Sequence, residues 1–282
     1  MRSAKNGIRL FVSYALLALI AICVLYPTAW IVMSSFKVGN SLFSETLIPR
    51  QLTLEHYIDL FRDQKDRDFR FARWYWNTIK VATISMALGT LVQLLTAYAI
   101  SRYRFYGRKT LMTTILILGM FPGFMSMIAT YIILMQLNLL GTHAALILVY
   151  TAGAALGMFV AKGYFDTLPK SLEESARIDG AGHLKIFFSI FLPLSRPIMT
   201  YVALTTFAGA WVDFIFARLI LSKARDQWTL AVGLVEMVDT YTSTEFTLFA
   251  AGSVLAAVPV TVLFMALQKL LVEGLTAGAT KG

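Results

Sequence analysis

Residues 173–197 read EESARIDGAGHLKIFFSIFLPLSRP, a charged and glycine-interrupted stretch that lies between two long apolar blocks. Charged side chains are costly to bury without partners, so this stretch must meet water or another protein. It therefore predicts a polar loop at the surface of a membrane, with membrane-spanning helices before and after it.

The local pattern of this loop predicts two short helices that meet at an elbow. Ser171 and Glu174 have the spacing of a capping box, so the first helix is expected to begin with Ser171 as its cap. Gly180 interrupts it, and a second helix over HLKIFFSIF is expected to end at Pro193. From this pattern alone, an amphipathic hairpin that only anchors the loop to the membrane explains the stretch as well as a docking element does.

The composition of the whole chain is that of a membrane protein. Of its 282 residues, 57% are hydrophobic and only 15% are charged, whereas about 25% of the residues in soluble domains are charged. A single cysteine, Cys23, excludes a disulfide framework. The basic residues that produce the net charge of +9 are concentrated in the loops on one side of the predicted spans, which indicates membrane topology and not binding of nucleic acid.

Long uncharged runs predict an all-α integral membrane protein with six membrane-spanning helices. About 20 apolar residues, at a rise of about 1.5 Å each, cross a bilayer. The run 110–161 has no charged residue apart from His143, and it is long enough for two spans. We place the spans near residues 10–35, 75–101, 110–136, 143–165, 197–221 and 247–270. They form a single transmembrane domain over residues 1–282, with the polar loop at 166–196 and a C-terminal tail at 271–282.

The distribution of basic residues predicts that both termini lie in the cytoplasm. With alternating sides, the N-terminal end, the connection RYRFYGRK at 102–109, the loop around 166–196 and the C-terminal end carry 14 basic and 5 acidic residues. The opposite side carries 9 basic and 10 acidic residues. Because short cytoplasmic loops are enriched in Lys and Arg, the first side is expected to be cytoplasmic.

The chain lacks the motifs of a nucleotide-binding or metal-dependent enzyme. No G-x-x-x-x-G-K-[ST] phosphate loop occurs. The three histidines are isolated and have no metal-ligand spacing. We therefore expect no enzymatic activity, no metal and no cofactor in this chain, and a role in moving a solute across the bilayer.

The polar loop resembles the EAA signature of the permease subunits of ABC importers. That signature consists of Glu-Ala-Ala, three residues, Gly, nine residues and Ile-x-Leu-Pro. In this chain the signature reads Glu174-Ser175-Ala176, then Gly180, then Ile190-Phe191-Leu192-Pro193, with both spacings intact. Ser175 is the one departure from it. The segments TLAVGL at 229–234 and GLTAGATKG at 274–282 are similar to the maltose/maltodextrin branch of the family, and the resemblance extends over nearly the whole chain.

The resemblance implies a permease subunit that pairs with a second, homologous permease in a bacterial-type plasma membrane. Two ATP-binding subunits, which hold the ATP and Mg²⁺, would lie on the cytoplasmic side, and a sugar-binding protein would dock outside. The elbow would be the family's coupling helix, which inserts into a cleft of an ATP-binding subunit. The implied coupling residues are Glu174, Ser175, Ala176, Asp179, Gly180, Ile190, Leu192 and Pro193. The C-terminal tail would also reach the ATP-binding subunits, through Gly278, Ala279, Thr280, Lys281 and Gly282.

Five residues inside the predicted spans are candidates for the substrate pathway. Sugars are usually held by aromatic rings and hydrogen-bonding side chains in a mostly apolar cleft. The candidates are Gln93, Tyr98, Tyr150, Trp211 and Asp213. Asp213 is the best of them, because a carboxylate within a span is expected to face water or a partner. For the others a structural role is the alternative, since Tyr and Trp often mark membrane interfaces and a lone Gln often bridges helices.

Several functions stay open at this point. We expect a subunit of an ATP-driven importer for maltodextrin-like oligosaccharides, and another sugar or a sugar phosphate is the nearest alternative. An ion-coupled secondary transporter would need several carboxylates within its spans, and only Asp213 qualifies. A membrane scaffold without a transport role has no feature in its favour.

Overall fold

The computed structural model describes residues 2–39, 48–62, 70–153, 155–241 and 246–279. Within these ranges the chain is helical or irregular and contains no β-strand, apart from an isolated bridge between Lys37 and Leu52. The predicted all-α membrane fold is confirmed. The helices, in chain order, are α1 (Arg2–Ser35), α2 (Glu55–Asp59), α3 (Phe71–Arg102), α4 (Arg108–Gly119), α5 (Gly123–Gln136), α6 (His143–Ala152), α7 (Ala155–Thr167), α8 (Ser171–Ile178), α9 (His183–Ile186), α10 (Leu192–Leu194), α11 (Arg196–Val212), α12 (Ile215–Leu221), α13 (Leu230–Tyr241) and α14 (Phe246–Ala279).

Three of the predicted spans are single long helices. They are α1, α3 and α14, and each contains an apolar segment long enough to cross a bilayer. Pro27 and Pro259 lie inside α1 and α14 without ending them, as membrane helices tolerate when neighbours satisfy the freed backbone groups. The predicted C-terminal tail differs from the structure, because α14 continues beyond residue 271 as far as Ala279. Residues 280–282 lie outside the described part.

The predicted third span, 110–136, is two helices in the structure. α4 ends at Gly119, α5 begins at Gly123, and their axes differ in direction by 103°. Pro122 stands immediately before α5. Proline has no N–H to donate to the preceding turn, so the α-helical hydrogen-bond ladder is interrupted there. The Pro122–Gly123 pair thus produces a sharp bend and not a gentle kink.

The predicted fifth span is also interrupted, whereas residues 143–167 have the length and composition of one span, as predicted for the fourth. α11 and α12 are separated at Asp213, which has an extended conformation. A bend of 87° precedes α11. By length and composition, four helices in the described part can cross a membrane, or up to six if each sharply bent pair counts as one span.

The chain divides into two compact units. The first comprises Met1–Ala72 and Leu234–Val258. In it α2 packs against the end of α1: the hydroxyl groups of Ser35 and Tyr57 are 2.7 Å apart, and a ring nitrogen of His56 lies 2.7 Å from the carbonyl oxygen of Lys37. These contacts fold the segment after α1 back onto that helix.

The second unit comprises Arg73–Gly233 and Pro259–Gly282, and it holds the polar loop. Its main cluster of buried apolar side chains joins α3, α7, α11 and the segment between α7 and α11. The centre of this cluster is aromatic and includes Tyr98, Phe165, Phe187 and Phe191. The polar loop is therefore packed against the helices that flank it.

Gly233 in α13 lies directly against the indole ring of Trp74 in α3. A Cβ atom on residue 233 would come within 2.0–2.6 Å of three carbon atoms of that ring, and both residues are buried. We expect Gly233→Ala to lower the melting temperature, at a cost of about 1–3 kcal/mol, because overpacking forces the ring or the backbone to shift. Thermal unfolding of the purified protein in detergent measures the change.

Gly209→Ala is the matched control, since nothing lies within 4 Å of a Cβ added at that position in α11. Equal melting temperatures for the two variants would contradict the packing of α13 on α3.

Candidate functional site

The first arm of the elbow is α8, whose two faces have different surroundings. Glu173 and Ala176 are buried. The exposed residues of the predicted coupling set in and after this helix are Glu174, Ser175, Asp179 and Gly180. In this arm the signature therefore has one buried residue, Ala176, and its other residues form a polar surface that a partner can reach.

The predicted cap at Ser171 is wrong. The cap position is Lys170, which has a helical conformation and makes no side-chain capping bond. Its carbonyl oxygen accepts hydrogen bonds from the backbone N–H groups of Glu173 and Glu174, each at 3.0 Å. The helical turn therefore begins one residue earlier than a serine cap would allow, and the hydroxyl of Ser171 is not needed for it.

The buried carboxylate of Glu173 is paired within its own helix. Its Oε1 atom accepts a hydrogen bond from Nη2 of Arg177 at 2.5 Å, the i,i+4 spacing that brings side chains together on a helix. His183, the first residue of the second arm, lies within 4.0 Å of the same oxygen. The pairing compensates the cost of placing this carboxylate against the protein.

A glycine turn sets the angle between the two arms. Gly180 has φ of +79°, a conformation that residues with a side chain adopt at a cost. Its N–H donates to the carbonyl of Arg177 at 3.0 Å, and the N–H of Ala181 donates to the carbonyl of Ala176 at 2.9 Å. This pair of bonds is a Schellman motif, which ends a helix and satisfies its last carbonyl groups. The predicted helix break at Gly180 is confirmed.

The second arm does not end at Pro193 as predicted. α9 passes into a π-helical turn over Phe187–Phe191, and α10 carries the chain through Pro193 to Leu194. Pro193 lies in the first turn of α10, where a missing N–H breaks no helical bond. Pro197 begins the following helix, α11, as predicted.

An aromatic seat holds the second arm against the membrane helices. We define it as Tyr98 of α3, Phe165 of α7, and Phe187 and Phe191 of the π-helical turn. The ring centroid of Tyr98 lies 5.3 Å from that of Phe187 and 4.9 Å from that of Phe191, and Phe165 lies 5.7 Å from Phe191. All four side chains are at most 3% exposed. Aromatic pairs at these separations add to the free energy of burial.

Arg102 ties the end of α3 to the end of α7 at the edge of this seat. Its Nη2 atom donates to the carbonyl oxygens of Phe165 at 2.6 Å and of Leu168 at 2.9 Å. Its guanidinium also lies 4.7 Å from the centroid of Phe191. A cation at the C-terminus of a helix meets its unsatisfied carbonyl groups. One side chain therefore joins α3, α7 and the elbow.

Tyr103 adds a contact with the elbow from the other side of Arg102. Its ring packs edge-to-face on His183, with centroids 4.6 Å apart. Burial, and to a smaller extent the nearby carboxylate of Glu173, raise the pKa of the Tyr103 phenol. The phenol therefore stays neutral at physiological pH and contributes packing without charge.

The exposed face of the elbow carries apolar residues that sequence reasoning missed. Ile178 is 87% exposed and Leu184 is 69% exposed, and Leu172 and Phe188 are also open to the surroundings. They lie on the same segment as the exposed Glu174. Their signal in the sequence was the presence of large apolar side chains in an otherwise charged stretch. Of the remaining predicted coupling residues, Ile190 and Leu192 are half-buried and Pro193 is exposed.

Two of the five predicted pathway residues meet at a cavity of about 440 Å³. Tyr150 donates a hydrogen bond from its hydroxyl to Oδ2 of Asp213 at 2.5 Å. Asp213 also accepts from the backbone N–H groups of Phe216 and Ala217, each at 3.2 Å, and so caps the start of α12. Threonine and serine hydroxyls, glycines and apolar side chains complete the lining.

The other three candidates do not line this cavity, although Thr206, the partner of Gln93, does. Gln93 is buried and donates to the hydroxyl of Thr206 at 3.1 Å. Trp211 is stacked on Phe207 of its own helix, with ring centroids 5.4 Å apart, and packs edge-to-face on Tyr75 of α3 at 5.8 Å. Tyr98 belongs to the aromatic seat. For these three candidates the structure shows packing between helices.

The predicted C-terminal contact residues lie at the edge of the described part. The backbone of Gly278 and Ala279 lies in α14, and the residues that follow them lie outside that part.

Comparison with known proteins relates the chain to transport systems. Residues 89–276 match the family described as binding-protein-dependent transport system inner membrane component. The chain is 42% identical to the galactooligosaccharides transport system permease protein GanQ of Bacillus subtilis, over 99% of this chain and 98% of that protein. It is 36% identical to the maltose/maltodextrin transport system permease protein MalG of Escherichia coli, over 97% and 96%. It shares its fold with a bacterial ABC transporter involved in the import of the acidic polysaccharide alginate, with a TM-score of 0.82 and 24% identity over 94% of this chain and 97% of that one.

The turn at Gly180 offers a direct test of the elbow geometry. Gly180→Ala places a Cβ on a left-handed residue and is expected to cost about 1–2 kcal/mol. Hydrogen exchange of the amides of residues 180 and 181, which close the turn, should become about tenfold faster.

Gly182→Ala is the matched control, because Gly182 has φ of −74° and nothing within 4 Å of an added Cβ. If both variants exchange at the wild-type rate, the turn does not depend on the left-handed glycine.

Proposed function

This chain belongs to the family of binding-protein-dependent transport system inner membrane components, and we propose that it forms half of the pathway by which an ATP-driven importer moves an oligosaccharide. It is a multi-pass membrane protein and a permease subunit of the sugar-importing ABC class. The substrate class is an oligosaccharide of the maltodextrin or galactooligosaccharide kind, since relatives with those names are 36–42% identical over nearly the full chain.

The observation that carries the proposal is the elbow, an EAA signature with both spacings intact and one departure, Ser175, on a firmly seated segment with an exposed outer face. Its outer face presents the carboxylate of Glu174 beside the apolar side chains of Ile178 and Leu184. Apolar anchors next to a charged group are typical of protein-binding surfaces. The partner is an ATP-binding subunit with an apolar cleft and a basic residue at its rim.

The remaining partners follow from the family. The chain pairs with a second permease, two ATP-binding subunits bind ATP and Mg²⁺, and an extracytoplasmic binding protein delivers the sugar. A solved alginate transporter in complex with its pentasaccharide-bound periplasmic protein, at 18% identity and a TM-score of 0.68, has the same fold as this chain. The elbow and both termini lie in the cytoplasm, and this chain itself has no enzymatic activity.

The elbow transmits the movement of the ATP-binding subunits to the membrane helices. ATP can shift the pore between two states only if the two states differ in their interaction with those subunits. The aromatic seat and Arg102 make the elbow move with the ends of α3 and α7, so a displacement of the elbow displaces both helices. The bends and breaks in the spans are the places where such a displacement is absorbed.

The sugar passes the cavity at Tyr150 and Asp213. A phenol ring and a carboxylate are groups that stack on a sugar ring and bind its hydroxyls. Asp213 already accepts three hydrogen bonds from the protein. It is therefore a fixed acceptor, which favours hydroxyl recognition over the coordination of a driving ion.

Reversal of the charge at the elbow should uncouple the importer. Glu174→Lys is expected to abolish sugar uptake while the protein stays in the membrane, because the carboxylate meets a basic residue of the ATP-binding subunit. Gly180→Pro should have the same effect, since proline holds φ near about −65° and removes the N–H that bonds to Arg177. Uptake by reconstituted vesicles and membrane abundance measure both effects.

The control for these variants is Glu55→Lys, which reverses an exposed charge in α2, a helix of the first unit. Normal uptake by the Glu174→Lys importer would remove the coupling role from the elbow.

Removal of the Tyr150 hydroxyl should weaken recognition of the sugar. Tyr150→Phe takes away the hydrogen bond that orients Asp213 and is expected to raise the KM for uptake about tenfold, the loss typical of a hydrogen bond to a charged group. Tyr131→Phe removes a phenol for which no hydrogen bond is found in the described part and serves as the control. An unchanged KM for Tyr150→Phe would place the sugar elsewhere.

A further inference from the structure

A basic cavity of about 920 Å³ lies between the elbow and the loop that follows α3. Its charged lining consists of Arg102, Arg104, Arg108, Lys170, Arg177, Asp166, Glu173 and Glu174. The five cations exceed the three carboxylates by two. Ile178 and Leu184, which are exposed on the elbow, do not line this cavity, but Glu174 does.

Several of these charges are already neutralised inside the protein. Glu173 is paired with Arg177, and Asp166 is paired with Lys162 and also accepts from Ser101. The guanidinium of Arg102 donates hydrogen bonds to two backbone carbonyl oxygens.

The cations that remain have no carboxylate partner among the described residues. They are Arg104, Arg108 and Lys170; Arg108 reaches only the carbonyl oxygen of Tyr103, at 3.4 Å. Arg104, in the loop, and Lys170, at the start of α8, are exposed, and both line the cavity. Glu174, the third carboxylate of the lining, has no cation partner among the described residues either, so these three cations exceed it by two and leave the cavity with the charge of a site for an anion.

The loop Arg104–Lys109 also carries two unpaired aromatic side chains. Tyr106 is fully exposed and Phe105 is 45% exposed. Aromatic side chains beside basic residues are typical of the headgroup region of a membrane, where the ring lies at the apolar boundary and the charge meets anionic headgroups. This combination would not be expected at a site for a free, fully hydrated phosphate ion.

The position of the loop provides an independent argument for a lipid. The loop begins where the membrane-spanning α3 ends, and it leads into α4, which has no buried residue in the described part. Leu111 and Leu118 of α4 are about half exposed or more. A phosphate held by Arg104 and Arg108 would therefore have an apolar helix surface directly beside it, along which acyl chains can lie.

We propose that Arg104, Arg108 and Lys170 bind the phosphate headgroup of an acidic phospholipid, with Phe105 and Tyr106 inserted at the level of the headgroups. Lys170 occupies the cap position of α8, so the headgroup bridges the loop after α3 and the first arm of the elbow. An acidic lipid thereby fixes the elbow beside Glu174, next to the surface proposed for the ATP-binding subunit.

Native mass spectrometry of the purified full-length chain tests this site. The chain is given phosphatidylglycerol and phosphatidylcholine in equal amounts, and we expect preferential retention of phosphatidylglycerol. Arg104→Gln and Lys170→Gln should each weaken its binding about fivefold, since a basic residue at a membrane surface contributes about that factor. Lys223→Gln, which removes an exposed and unpaired cation from the loop after α12, should leave binding unchanged.

Three results would overturn the proposal. They are equal retention of the two lipids, an equal loss of binding in the Lys223→Gln control, and displacement of the lipid by excess inorganic phosphate, which would indicate a site for the free anion. The measurement uses neither ATP nor sugar. Its outcome is therefore independent of whether the proposed transport function is correct.

Discussion

The contact on which the rest of the second unit depends is the one between the elbow and the ends of α3 and α7. Arg102 satisfies the carbonyl groups at the end of α7 and lies over the ring of Phe191, while Tyr98 and Phe165 close around the same ring. Burial of four aromatic side chains together stabilises one relative placement of these segments far better than any loose arrangement. The elbow is thus a rigid extension of the membrane helices and not a flexible loop.

Rigidity at the elbow is combined with interruptions inside the spans. Pro122 and Asp213 each stand where a predicted span is divided. At Asp213 the carboxylate itself accepts from the N–H groups of the next helix. In the proposed mechanism a movement that enters through the elbow is absorbed at such breaks, and Gly123 and Asp213, which stand at these breaks, also line the cavity beside Tyr150.

The exposed surface of the elbow combines two kinds of chemistry, and Glu174 lies where they meet. The outer face offers apolar side chains and the carboxylate of Glu174, which suits a protein cleft with a basic rim. The cavity side offers unpaired cations around Arg104 and Lys170, which suits a phosphate. A short segment of about two dozen residues can thus touch an ATP-binding subunit, a lipid headgroup and the core of its own chain.

The sequence by itself determined the fold class, the family and the position of the elbow. Uncharged runs long enough to cross a bilayer indicate that the helices lie in lipid and not in water. The EAA spacing with Gly180 indicates a helix, a left-handed turn and a second helix. The start of α8 and the continuation through Pro193 were decided by hydrogen bonds that local sequence patterns do not contain, whereas the bend at Pro122 follows from the Pro122–Gly123 pair itself. Only the tertiary structure brought Tyr98 to the elbow and Tyr150 to Asp213, because residues far apart in the chain meet through helix packing. A pattern of polar and aromatic residues within spans shows that such side chains exist, but packing decides which of them face a cavity and which face each other.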